Sequence, residues 1–341
     1  MVLWTHTSHL HISDLIDPSD CVCIGYFAAN ICHKRTCDID LTYCRIGDHG
    51  TQLLLKEIIH INPTPHMANV VPDGPGRLIE PLIDRMYPLG GRVIHLQRCV
   101  QLSLLHNDIT HHGTRFIGKI LRSTSIITSI HLGGNWHPSV TNIGVAFKYL
   151  IEGLSRNTTC HLLSLAEMDL KQCHTHYIVL LIALCKGIRC LSLNLNHHLC
   201  NSTSLLASVL EHNSNLWEFR IDDCKIGDQQ LSDLSEGLQH NQSLIVLNIA
   251  MNEYSVDAAV YLVRCLTSSS VRQVFMNREM TVSGSLQKEI NLANKERSKR
   301  RGGAGKWSLT LEPNETGYNE SVRSTVPSQV SEQLLRDKHA S

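Results

Sequence analysis

The sequence predicts an α/β solenoid, a horseshoe with parallel strands on its concave face, helices on its convex face and a period of about 28 residues. Three observations predict it. Short apolar-x-apolar elements recur at Leu102/Leu104, Ile130/Leu132, Leu163/Leu165, Leu191/Leu193, Phe219/Ile221, Leu247/Ile249 and Val274/Met276, in steps of 28, 33, 28, 28, 28 and 27 residues. Three residues after each pair stands Asn107, Asn135, Met168, Asn196, Cys224, Asn252 or Glu279. The core is also built almost from one side chain, with 46 leucines against 5 Phe, 8 Tyr and 4 Trp.

Within each unit the period-2 alternation points the paired apolar residues inward and their neighbours onto one open face of a short strand. The Asn or Cys that follows turns inward beneath the strand, where a buried amide is tolerated if it bonds the backbone of adjacent turns. A segment with 3- and 4-residue apolar spacing comes next: Phe116, Ile117, Ile120, Leu121; Val145, Phe147, Leu150, Ile151, Leu154; Leu231, Leu234, Leu238; Ala259, Leu262, Val263, Leu266. That spacing predicts a helix. Earlier copies are Leu10/Ile12 and Ile39/Leu41 with Cys44 and Ile46. The 63 residues from Ile39 to Leu102 make room for two periods, so a degenerate repeat is expected around Met67–Val71, followed by a Pro/Gly-containing insertion from Pro72 to Gly91. The expected organisation is a solenoid over 1–293, with the degenerate repeat and insertion at about 62–98, and a disordered tail over 294–341 that begins basic at Lys295–Arg301. Trp307, Leu309 and Leu311 alternate within that tail and are candidates to dock on the last coil as a cap. Leu10 shows no cap of its own, which points to a missing upstream portion.

The pattern L-x-x-L-x-L-x-x-N/C-x-L, the period near 28 and Cys224 set between Asn196 and Asn252 resemble the ribonuclease-inhibitor type of leucine-rich repeat. Segments such as Cys224–Asp228 with Leu234–Asn241, and Cys44–Asp48, resemble repeats in the C-terminal sensor region of NOD-like receptors (NACHT/LRR proteins). The resemblance implies a curved, non-enzymatic module of innate-immune type that binds a protein partner or senses a ligand on its concave side, either as a fragment lacking its NACHT ATPase or as a free-standing repeat protein. Two other functions remain: a free-standing inhibitor or scaffold of ribonuclease-inhibitor type, and a GTPase-activating repeat protein, whose strongly acidic tail this chain lacks.

Chemistry-bearing motifs are sparse. The nearest match to a P-loop, Arg301–Trp307, has Trp307 in place of Ser/Thr and Arg300 in place of the first Gly. His111-His112, His197-His198 and His174-x-His176 beside Cys173 lack the paired ligand spacing of a zinc site, and no C-x-x-C occurs. Asp222-Asp223 would alternate to opposite faces. No catalytic residue, metal or cofactor is expected. The balance of 31 Lys+Arg against 31 Asp+Glu gives no global pull toward nucleic acid. The scattered, odd set of 13 cysteines reads as reduced and buried, and with no apolar run long enough to span a membrane the expected compartment is the cytoplasm. Five Asn-x-Ser/Thr sequons, at Asn157, Asn201, Asn241, Asn314 and Asn319, point weakly the other way. The repeat register places Glu218, Arg220 and Asp222, with Asn194 and Asn248 on the flanking strands, as the interaction patch of the concave face.

Overall fold

The computed structural model describes residues 2–4, 9–12, 17, 20–30, 36–60, 99–301 and 309–313. Among the described residues eleven strands form one sheet in strict chain order. They are β1 (Val2–Trp4), β2 (His9–Ile12), β3 (Thr36–Asp40), β4 (Cys99–Ser103), β5 (Ile127–His131), β6 (Leu162–Ser164), β7 (Cys190–Ser192), β8 (Glu218–Arg220), β9 (Val246–Asn248), β10 (Gln273–Met276) and β11 (Thr310–Pro313). From β2 onward every neighbouring pair is parallel, whereas β1 runs antiparallel to β2 and so lies outside the first parallel strand. The helices are α1 (Asp20–Asn30), α2 (Gly47–His60), α3 (His111–Ser123), α4 (Ile143–Leu154), α5 (Thr175–Leu184), α6 (Thr203–His212), α7 (Asp228–Gln239), α8 (Val256–Leu266) and, after a single turn at Arg278–Thr281, α9 (Gly284–Arg301). From β4 to β10 each strand returns through one α-helix to the next parallel strand, the unit expected of the solenoid.

The apolar pairs face a continuous core. Leu102, Leu104, Ile130, Leu132, Leu163, Leu191, Leu193 and Phe219 are all fully buried, each burial contributing roughly 2 kcal/mol. The 33-residue step absorbs its extra length before α4, where Trp136 turns inward, donates from Nε1 to Thr114 Oγ1 (2.8 Å) and meets Phe147 edge-on at 5.1 Å.

Two ladders of side chains tie coil to coil. In the first, Asn135 Oδ1 accepts the Asn107 and Ile109 amides (2.9 and 3.0 Å), while its Nδ2 donates to the Leu104 and Leu132 carbonyls (both 2.7 Å). Asn196 and Asn252 repeat this pattern on the coils before them. Cys224 and Cys44 keep only its donor half, their thiols reaching the Leu193 and Ile12 carbonyls at 3.3 and 3.1 Å. The second ladder runs through the helix-to-strand turns. Asn157 Nδ2 donates to the Leu121 and Thr124 carbonyls, and Asn241 Nδ2 to those of Leu210 and Asn213. Two of the sequons are therefore buried structural amides, with Asn157 5% and Asn241 1% exposed. Asn314 and Asn319 lie outside the described residues.

Two boundaries differ from expectation. β3 pairs directly with β4, Ile39 opposite Leu102, and Asn107 Nδ2 reaches the Leu41 carbonyl at 2.7 Å. The sheet thus has no place for a further coil between them; Met67–Val71 and Pro72–Gly91 themselves lie outside the described residues. At the other end, order does not stop at 293. In α9 Leu286, Ile290, Ala293 and Arg297 form one buried stripe, the Leu309 amide donates to Asn294 Oδ1 (2.7 Å), and β11 pairs with β10. The helical spacing of that stripe ends on an arginine, which is why apolar periodicity alone missed it. Arg297 stands two periods beyond Asn241 at the equivalent place on the last coil and donates to the Leu266 and Ser269 carbonyls. Leu309 is buried, as a cap requires, whereas Trp307 and residues 314–341 lie outside the described residues.

Candidate functional site

The strand register builds the concave face row by row. Glu218 stands opposite Cys190 and Val246, and Arg220 opposite Ser192 and Asn248. Asp222 follows β8 and stands beside Asn194 and Asn248, so all five expected patch residues come together. Asn194 Nδ2 and Asn248 Nδ2 converge on one oxygen, Asp222 Oδ2, at 3.0 and 2.8 Å, and the Asp222 amide donates back to Asn194 Oδ1 at 3.1 Å. Arg220 binds Glu218 Oε1 through both Nε and Nη2, each at 2.7 Å. The pair is unequal in access, with the Glu218 side chain 4% and the Arg220 side chain 23% exposed. Burial works against the Arg220 charge, but Cys190, Glu218 and Asp222 outweigh it and hold its pKa above the ordinary arginine value.

The sequence led one to expect charges displayed outward. Instead the groups partner one another, because neighbouring strands of a sheet stand about 4.8 Å apart and put facing side chains within bonding reach. The result is a rigid polar platform spanning three coils. Ser192, the hydroxyl beside it, has no hydrogen-bond partner for Oγ among the described residues, so no base is placed to activate it.

The rim beyond the strands carries several histidines. His106 stacks on Tyr43 (4.3 Å, 6° between planes) and reaches Glu167 at 3.2 Å by lying across Gly134, whose φ of +66° and lack of a side chain make the passage. His197 pairs with Asp223 at 3.4 Å and His198 with Asp169 at 3.8 Å. Among the described residues no three His, Cys, Asp or Glu side chains gather as metal ligands. Cys160 and Cys185 are buried, and desolvation pushes each thiol up to about 12.

Sequence reasoning missed the opposite rim. Arg189 lies over the Trp217 ring at 4.7 Å and donates to the Asn215 carbonyl at 2.9 Å. Its signal was present: both residues directly precede a strand, one period apart.

No family profile matches the chain, and no curated protein is similar to it. Solved structures are. A leucine-rich repeat-containing protein, LegL7 from Legionella pneumophila, is 14% identical, with 87% of this chain and 80% of that one covered and a TM-score of 0.51. This chain folds as a leucine-rich repeat. Other similar structures are a yeast Rad7–Elc1 complex (16% identity, 96% of this chain and 82% of that one, TM-score 0.40) and a Caenorhabditis elegans tropomodulin C-terminal domain (19%, 46% and 92%, 0.37). Among the described residues no helix of this leucine-rich-repeat chain is long and apolar enough to cross a membrane.

Proposed function

We propose that the chain is a non-enzymatic binding module that holds a protein partner against its concave sheet. The observation that carries this reading is the Asn194–Asp222–Asn248 bridge beside the Glu218–Arg220 pair, which fixes charged and amide groups from three coils before any partner arrives. Groups already fixed lose little entropy on binding, so a partner meets a preorganised surface. Arg220 is the more exposed charge of its pair and serves as the central anchor, with the Arg189–Trp217 stack as a flanking one, of the residue types that dominate interface energetics. In the finer reading the module works as the sensor region of a NOD-like receptor does, in the cytoplasm and in innate immunity. That part rests on the sequence resemblance alone.

The test is proximity labelling in cells with the intact chain, with Arg220→Ala plus Asn248→Ala, and with Trp217→Ala, each variant first checked for an unchanged melting profile. A partner set lost in the concave variants supports the reading. The same partner set retained in all of them would exclude the concave face as the binding surface.

A further inference from the structure

The overall balance of charge conceals a steep gradient along the chain. Residues 110–190 carry eight Lys and Arg against three Asp and Glu, whereas residues 211–257 carry two against nine. Four of the eight basic residues, Arg115, Lys119, Arg122 and Lys148, lie on the convex helices α3 and α4. α3 has no acidic residue and presents Arg115, Lys119 and Arg122 at i, i+4 and i+7, one stripe along the helix. These three line a groove whose other wall is Tyr149 and Glu152 of α4.

Two glycines make the groove. A Cβ on Gly118 would lie 2.2 Å from the Tyr149 carbonyl oxygen, and one on Gly153 would lie 2.4 Å from that of Gly118. The two backbones therefore touch along the floor and no side chain fills it. The walls are incompletely satisfied: Arg122 has Glu152 at 3.3 Å, but among the described residues Arg115 and Lys119 have only ring faces, Tyr149 at 5.9 Å and Phe116 at 5.8 Å. All three cations are exposed.

We propose that this convex groove binds a short acidic peptide segment of a protein partner, with Arg115 and Lys119 taking carboxylates and Tyr149 packing against the peptide between them. The stripe from Arg115 to Arg122 is about 10 Å long, the reach of roughly three extended residues. That length suits a short acidic motif and is too short for a tracked phosphodiester backbone; Glu152 faces either anion alike, with its charge met by Arg122 at 3.3 Å. The site is separate from the concave platform and does not depend on it.

The probe is a labelled hexaglutamate peptide followed by fluorescence anisotropy on the full chain at low salt, with hexaserine and a heptathymidylate as controls. The expected result is saturable hexaglutamate binding, weakened about tenfold or more by Arg115→Glu plus Lys119→Glu, and unchanged by Lys288→Glu plus Lys295→Glu on α9. All four positions are exposed, so circular dichroism should show each variant folded. Absence of saturable hexaglutamate binding would overturn the proposal, as would binding indifferent to the α3 substitutions. Heptathymidylate bound as tightly as hexaglutamate would also overturn it, and would assign the groove to nucleic acid instead.

Discussion

Arg297 donates to the carbonyl of Leu266, thirty-one residues behind it, as Asn241 does to that of Leu210. A guanidinium on the last helix thus completes a ladder built elsewhere from asparagine amides.

Arg297→Ala should leave the Leu266 and Ser269 carbonyls buried without this donor, a local cost of about 1–3 kcal/mol. The loss falls at one end of a stack in which each coil contacts its neighbours, so amide exchange should quicken in α8 and β10 while β4–β6 stay protected. Exchange unchanged throughout would show that the guanidinium is not what holds the last coil.

Asn252 accepts two amides and donates to two carbonyls of its own and the preceding coil. Asn252→Ala should destabilise the protein by about 2–4 kcal/mol, and Asn252→Cys by roughly half as much, because a thiol retains a donor but lacks the acceptor. Urea melts of the two variants would check the order; an alanine variant as stable as the cysteine one would contradict it.

Native alkylation should sort the cysteines. Cys23 and Cys173 are exposed, whereas Cys160 and Cys185 are buried with thiols pushed up by desolvation to about 12. Mass spectrometry after iodoacetamide at neutral pH should find the first pair modified and the second pair intact until denaturant is added. The same shifts fix an alkaline sign. The unfolded thiols ionise first, near 9, so the contribution of Cys160 and Cys185 is intact below that pH and is lost as pH rises toward 12.

His174 has the opposite dependence. Burial, then Lys171 and His176, lower its pKa below 6.5, and its Nδ1 accepts the Lys171 amide (3.1 Å), a bond that suits the neutral ring. The unfolded chain takes up this proton first, so stability falls as pH drops below about 6.5. His174→Gln should flatten that part of a melting-temperature profile between pH 7.5 and 5. An identical slope would mean that His174 does not contribute to it.

The repeat was legible because each coil writes the same constraint twice, in leucines at strand spacing and in an Asn or Cys three residues later. What escaped was written in other residue types. The stripe Leu286–Ile290–Ala293–Arg297 hides its last member behind a charge, so the basic run from Lys295 looked like a free tail although Arg297 is 4% exposed. Asn157 and Asn241 sat inside triplets that also spell a glycosylation signal. The five concave residues were found from alternation alone, but their mutual bonding was not, since alternation gives a side and says nothing of what the neighbouring strand offers there.

The two ladders have a direction. Asn135, Asn196 and Asn252 accept amides of the coil before them, and Asn157, Asn241 and Arg297 cap carbonyls of the coil before them. A nascent chain emerging from the ribosome N-terminus first therefore holds each coil incomplete until its successor arrives. The two ends of a truncated stack therefore differ in kind: a coil lost from the front strips asparagine side chains such as Asn135 of their partners, whereas synthesis stopped early leaves the newest coil with backbone amides and carbonyls that its successor would have bonded.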